Sequence, residues 1–378
     1  MGPRLALCGN VFPGESLAEV EAALDGPVRE WAGRVSEASL GLYLAAGAAR
    51  EAAREPECLR RRLAGLGLRV WTANAFPFGG FHGRRVKERA FLPDWRDRAR
   101  LEFTCDVARV LAVCLEGRES TGSLSTCPLG YGTPARRDPL AADHLRRAAD
   151  SLRRLEEEHG VRLVLALEPE PDGAFERLGD LLSWLEALEE DQDPAGRRLG
   201  VCWDLCHEAV VGEDPGETAR LLRASPVPVG KVQVSSALWI RERPGGDALR
   251  RLQVLAADPW FHQVRARTAL GTRAWPDLAP FLADREAHGA LEEVRVHCHV
   301  PLTAGELGDG LTATPWREAL AAALRAGIGD FEVETYTLPL LPEEFGGGGL
   351  VETLAAEYET CARVLEEAGR AGPTRSPR

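Results

Sequence analysis

The sequence predicts an α/β fold: a single (β/α)8 barrel of parallel strands, with an insertion before the last of them. Short apolar runs alternate with longer stretches rich in Ala, Leu, Glu and Arg, the pattern of parallel strands joined by crossover helices. There are nine such runs where eight close a barrel, and 378 residues where about 250 are typical. Polar side chains gather where the runs end, which is where barrels of this kind keep their chemistry.

The first strand is expected in LALCG (5–9) and the second in SLGLYLA (39–45). LRVWTANAF (68–76), GSLSTCPL (122–129) and VRLVLALEP (161–169) follow, then LGVCWDL (199–205) and GKVQVSSAL (230–238). VRVHCHV (294–300) is the surplus strand, and DFEVETYT (330–337) completes the barrel. Between them, segments such as AADHLRRAADSLRRLEEEHG (141–160) and PWREALAAALRAGIG (315–329) repeat apolar residues at three and four and reach Gly after the last turn, as amphipathic helices do. The region 238–330 is read as insertion-bearing. One domain is expected over 1–368, and the tail 369–378 is read as disordered. A doubly wound open sheet is the rival fold. Its dinucleotide version would show GxGxxG after the first strand, and none is there.

Composition weighs against several functions. There are 58 acidic residues against 46 basic, −12 overall, without the basic excess that phosphate backbones select. Nucleic acid is therefore not an expected partner. No apolar run reaches the ~18 residues of a membrane span, and MGPRLALCGN is too short for a secretory core segment. The nine cysteines are an odd number without a CxxC pair, and read as buried free thiols in a reducing, cytoplasmic setting.

The strand ends carry the candidate site. The third strand ends in Asn74, the fifth in Glu168 and the sixth in Asp204, with His207 just beyond. The seventh carries Gln233, which alternates with Lys231 and Ser235. The surplus strand carries His297 and His299, and the last carries Glu332 and Glu334, each pair on one face. Carboxylates and imidazoles suit a divalent ion such as Mn²⁺, Zn²⁺ or Co²⁺. One ligand per strand is no local motif; only a converging barrel would gather them. Each residue also has a plainer reading. Glu168 could cap a turn, Asp204 a helix, His207 could be a satisfied core histidine, and Glu332, deeper than Glu334, could pair with Lys or Arg. In the loop FPFGGFHGRRVKE (76–88), His82, Arg84 and Lys87 are candidates to bind substrate, together with Asn74 and His297. The same loop could instead pack its aromatics on the barrel rim.

LALEPEP, GVCWDLCHEAV, GKVQVSSAL, FHQV and FEVETYT resemble the xylose-isomerase-like TIM barrels, a superfamily of sugar-phosphate isomerases, epimerases and apurinic endonucleases. FPFGGFHGRRVKE, STCPLG and RVHCHVPL resemble the EboE family of bacterial metabolite traffic proteins in particular, over residues 5 to 365. The resemblance implies a divalent metal at the barrel mouth. Glu168, Asp204 and Glu334 match its carboxylate ligands, and His207 matches a histidine that touches substrate or metal. Gln233, a neutral oxygen donor and a weaker metal ligand, stands where the epimerases place a histidine, and His299 or His262 could supply that imidazole. For the second catalytic carboxylate, Glu170 is a poor geometric match and Glu176 another candidate. Catalytic roles are thereby implied for Glu168, His207 and Glu334.

Three functions follow. One is a metal-dependent isomerase or epimerase of a small polar metabolite. A second is a metal-dependent phosphoesterase, in which the basic loop would hold the phosphate. A third is a small-molecule binding protein with weak or lost chemistry. Other proteins of the same pathway are possible partners on the traffic reading.

Overall fold

A computed structural model of the chain describes residues 2–80, 87–257, 262–284, 287, 289–346 and 348–371. Seven parallel strands come first: β1 (Arg4–Cys8), β2 (Leu40–Tyr43), β3 (Thr72–Asn74), β4 (Thr121–Thr126), β5 (Arg162–Leu167), β6 (Leu199–Asp204) and β7 (Val229–Val234). Six short strands follow: β8 (Leu238–Ile240), β9 (Val264–Thr268), β10 (Gly271–Trp275), β11 (Leu291–Val296), β12 (Glu306–Gly308) and β13 (Leu311–Ala313). The last is β14 (Asp330–Val333). The closed barrel runs β1–β2–β3–β4–β5–β6–β7–β14 and back to β1. All eight expected barrel runs are its strands. The surplus run became β11, in a separate sheet of order β10–β9–β11–β8–β13–β12. The strand expected over 68–76 is hydrogen-bonded as β3 only at Thr72–Asn74.

The connecting helices show why the periodicity was readable. Pro139–His159 starts on Asp138, whose side chain accepts from the Leu140 N–H, and stops at Gly160 in the left-handed region at φ 67°. Its Leu145, Ala148, Ala149, Leu152 and Leu155 are buried against the barrel. Inside the barrel, room is tight. A methyl at Gly41 of β2 would run into the Glu332 carboxylate, so glycine lets that acid sit inside. Glu332 pairs there with Lys231, Nζ to Oε2 at 2.5 Å, and both side chains are 0% exposed.

The inserted sheet has its own apolar core, including Leu238, Leu252, Phe281, Val294 and Phe345. Its neck is pinched. The chain leaves the barrel at Ser236–Ala237 and returns at Thr314. There the Thr314 N–H donates to the Ala237 carbonyl at 2.9 Å, and the Ala237 N–H donates to Thr314 Oγ1 at 2.9 Å. The nine cysteines of the sequence are all free, and Cys58 and Cys105 alone among them are not buried. Among the described residues no helix is long and apolar enough to cross a membrane.

Candidate metal centre

Three strand ends aim carboxylates at one point. Glu168 follows β5, Asp204 ends β6 and Glu334 follows β14; one oxygen of each lies within 4.8 Å of the others. They come together because β14 closes between β1 and β7, which brings acids from distant parts of the chain to one mouth. All three are at most 4% exposed. Burial, then Glu334 and Asp204, push the Glu168 carboxyl well above its ordinary range. Burial, then Asp204 and Glu332, do the same to Glu334. Carboxyls crowded like this are relieved by a cation. Glu168 Oε2, buried and without a hydrogen-bond partner, fits that account.

The surroundings hold the acids in place. The Asn10 amide donates to Glu334 Oε1 at 2.5 Å and the Asn74 amide at 3.3 Å. Gln233 turns its amide nitrogen to Glu334 Oε2 at 2.5 Å and Glu168 Oε1 at 3.1 Å, because an oxygen there would face only acceptors. Gln233 was expected as an oxygen ligand. In this orientation it braces the carboxylates as a donor and leaves its oxygen turned away from them. Asp204 does two jobs at once. Oδ1 accepts from the His207 N–H at 2.8 Å, capping the helix Leu205–Val211, and from the Ser235 hydroxyl at 2.9 Å. The cap and the candidate ligand are the same residue.

Imidazoles line the other side. His207 Nδ1 lies 3.0 Å from the Pro169 carbonyl, and His207 Nε2 lies 3.1 Å from His297 Nε2. His297 Nδ1 meets Gln263 Oε1 at 2.7 Å, and His299 Nδ1 meets the Glu334 carbonyl at 2.9 Å. Burial lowers His207 to about 4 and His297 well below the ordinary imidazole range, so both stand neutral at pH 7. His262 sets Nδ1 on the His297 carbonyl at 2.8 Å and belongs to none of the metal-capable groupings among the described residues. His82, Arg84 and the side chain of Lys87 lie outside the described residues.

Glu170 corrects the sequence reading. It was set aside as a poor geometric match, yet with His207 and His297 it forms a grouping whose ligand atoms lie within 4.8 Å of one another. Glu170 stands two residues after Glu168, across Pro169, and both acids are buried. Burial, then Asp204, raise Glu170 to about 8. Glu176, the other candidate, is spent on Arg265 of β9 and on the Asp172 N–H, which it accepts at 2.6 Å. Asn10, Cys206 and Gln263 were also missed, and Ser235 was read only as sharing a face with Gln233. Asn10, just past the end of β1, obeys the strand-end rule and could have been found.

These protonation states give an expected pH profile. Glu170 and Glu208, both raised to about 8 by burial, keep protons in the folded chain that the unfolded chain has lost. Folding thus binds protons between the ordinary carboxylate range and pH 8, and stability falls as pH rises through it, by up to about 1.36 kcal/mol per pH unit per group. Below about pH 6.5 the neutral buried His207 opposes this, since the unfolded imidazole is charged there. Thermal melts in chelator should therefore show lower stability at pH 8 than at 6.5. A flat or rising profile between those values would remove the raised carboxyls from this account.

Fold and site together define a parallel (β/α)8 barrel protein with a candidate divalent-cation centre at the C-terminal ends of its strands. The chain belongs to the family described as the xylose isomerase-like TIM barrel, which matches residues 40–335. Similar solved structures include a xylose isomerase domain protein from Planctomyces limnophilus, with TM-score 0.51, 14% identity and 98% of each chain covered. Another, from Alicyclobacillus acidocaldarius, has TM-score 0.51 and 14% identity over 97% of this chain and 100% of that one. The IolI protein, solved with a bound zinc atom, has TM-score 0.50 and 12% identity over 97% of this chain and 99% of that one. At such identities the likeness is one of fold. No curated protein matches the chain.

Proposed function

We propose that the chain is a metal-dependent isomerase or epimerase that moves a proton on a small polyhydroxylated metabolite, such as a sugar or sugar phosphate. One observation carries the reading: Glu168, Asp204 and Glu334 converge to within 4.8 Å beside a buried Glu170 that sits with His207 and His297. The three carboxylates would hold Mn²⁺, Zn²⁺ or Co²⁺, which would polarise adjacent substrate oxygens and acidify the C–H alpha to the carbonyl. Zinc in the IolI structure supports an ion of this class. Glu170, balanced near neutral pH, gives up or takes back the proton. Neutral His207 next to it can accept one. Asn10, Asn74 and Gln233 fix the carboxylates so that they need not reorganise. The closeness to EboE proteins, a role in metabolite traffic and a cytoplasmic location belong to this same proposal.

The test is solvent-deuterium incorporation into a panel of ketoses, aldoses and their phosphates, with chelator-treated and Mn²⁺-loaded protein. Metal-dependent C–H exchange is expected, and Glu170→Gln should abolish it while metal binding stays. Phosphate release without exchange would replace the reading by ester hydrolysis. Ligand binding without either reaction would replace it by a carrier role.

A further inference from the structure

We infer that Cys206, His297 and His299 form a second cation site, apart from the three carboxylates, that takes a thiophilic ion of the zinc class and ties the inserted sheet to the barrel. This goes beyond the proposed reaction, which uses one ion on carboxylates. Cys206 lies in the first turn of the helix Leu205–Val211, directly after barrel strand β6. His297 and His299 follow β11 and belong to the insertion. One ligand atom of each of the three lies within 4.8 Å of the others, and all three side chains are at most 2% exposed.

The hydrogen bonds of both rings are arranged as metal-bound histidines arrange theirs. His297 Nδ1 faces the Gln263 amide oxygen and His299 Nδ1 the Glu334 carbonyl; neither acceptor has a proton to give. Each Nδ1 therefore carries the hydrogen, and each Nε2 is left with a bare lone pair. His299 Nε2 is buried without any partner. His297 Nε2 stands 3.1 Å from His207 Nε2, whose own ring hydrogen is taken by the Pro169 carbonyl. Two lone pairs thus oppose each other in a dry site, which a cation resolves. The backbone of Cys298, between the two histidines, hydrogen-bonds to the Cys206 sulfur and fixes its position. Binding releases the thiol proton to solvent.

Donor chemistry separates the two sites. Thiolate with imidazole selects zinc-like ions, whereas carboxylate oxygens also suit harder ones. Asp204 groups with His207 and His299, and Glu170 with His207 and His297, so three donor sets share these rings. Asp204 already caps a helix and accepts from Ser235, while Glu170 has Gln263 beside it. Cys206 is the soft donor among the barrel residues that meet the insertion's histidines.

The experiment uses chelator-treated full-length protein, Zn²⁺ alone or Co²⁺ alone, elemental analysis after desalting, and absorption spectra of the cobalt form. Two equivalents are expected, with a near-ultraviolet sulfur-to-cobalt charge-transfer band. Cys206→Ser should lose the band and one equivalent and keep the other. Glu334→Gln should keep the band and lose the opposite equivalent. Should Cys206→Ser not fold, His299→Gln reports the same loss of one equivalent, and the wild-type band stands by itself. One equivalent that Glu334→Gln removes and Cys206→Ser leaves intact would overturn this site and spare the proposed reaction. Two equivalents without a sulfur band would also overturn it. No binding of either metal would overturn both readings.

Discussion

Lys231→Met is expected to lose about 3–5 kcal/mol of stability, because it strips the partner from a fully buried carboxylate. Lys231 Nζ meets Glu332 Oε2 at 2.5 Å and the Ala73 carbonyl at 3.3 Å, in the barrel interior beneath the mouth. Burial works against the ammonium, and Glu332 together with the nearby Cys202 and Cys8 outweighs it, so the lysine is held charged. Its charge also eases ionisation of Glu168 and Glu334 above it. Without it, Glu332 keeps one oxygen that already lacks a partner and gains a second. The double change Lys231→Met with Glu332→Leu should recover most of the loss, since a buried pair replaced by apolar groups of similar size is often neutral. Urea unfolding of the three proteins decides it. A single-variant loss below about 1 kcal/mol, or a double variant worse than the single, would mean the pair is not the structural element described here.

Asp204→Asn is expected to remove most of the stabilisation that Mn²⁺ provides through the three carboxylates. An ion bound only by the folded chain adds RT ln(1 + [M]/Kd), about 2.7 kcal/mol at a hundred times Kd. For a chain of this length that is about 3 °C in melting temperature. Asparagine keeps an oxygen for the His207 N–H and the Ser235 hydroxyl, so the cap survives and only the charge is lost. In chelator the variant should melt at or slightly above wild type, because one of three crowded carboxylates is gone. Calorimetric titration with Mn²⁺ supplies the matching readout. Equal heats for wild type and variant would leave Asp204 a cap and nothing more.

The barrel was legible because each of its strands is a short apolar run set off by turn residues, and each helix carries its own start and stop. The carboxylates were legible for the same reason: a charge after LVLAL or GVCW has few places to go except a strand end. The pairing of Glu332 with a cation was also readable, from its depth below Glu334 and the alternation that puts Lys231 on the inner face. Glu170 was misjudged because two prolines fix a turn whose direction the spacing does not reveal. Cys206 and Gln263 lay inside quoted segments, GVCWDLCHEAV and FHQV, but nothing there marked a role for them. Their place depends on how the inserted sheet docks on the barrel, and docking is set by surfaces distributed over several strands. His297 and His299 were paired correctly by alternation, but the partner they meet was not readable from their own segment.

The pinched neck at Ala237 and Thr314 bears on how the chain finds its shape. β7 and β14 are neighbours in the barrel, yet the whole second sheet lies between them in sequence. If the ladder between β7 and β14 had to form first, it would have to trap a long disordered loop, at an entropic cost that grows with loop length. An insertion that condenses early on its own core removes that obstacle. Once Thr314 is bonded to Ala237, what remains to be closed is the short return through the helix Trp316–Arg325. Were the second sheet to assemble first, it would turn a distant strand pairing into a near one for β14.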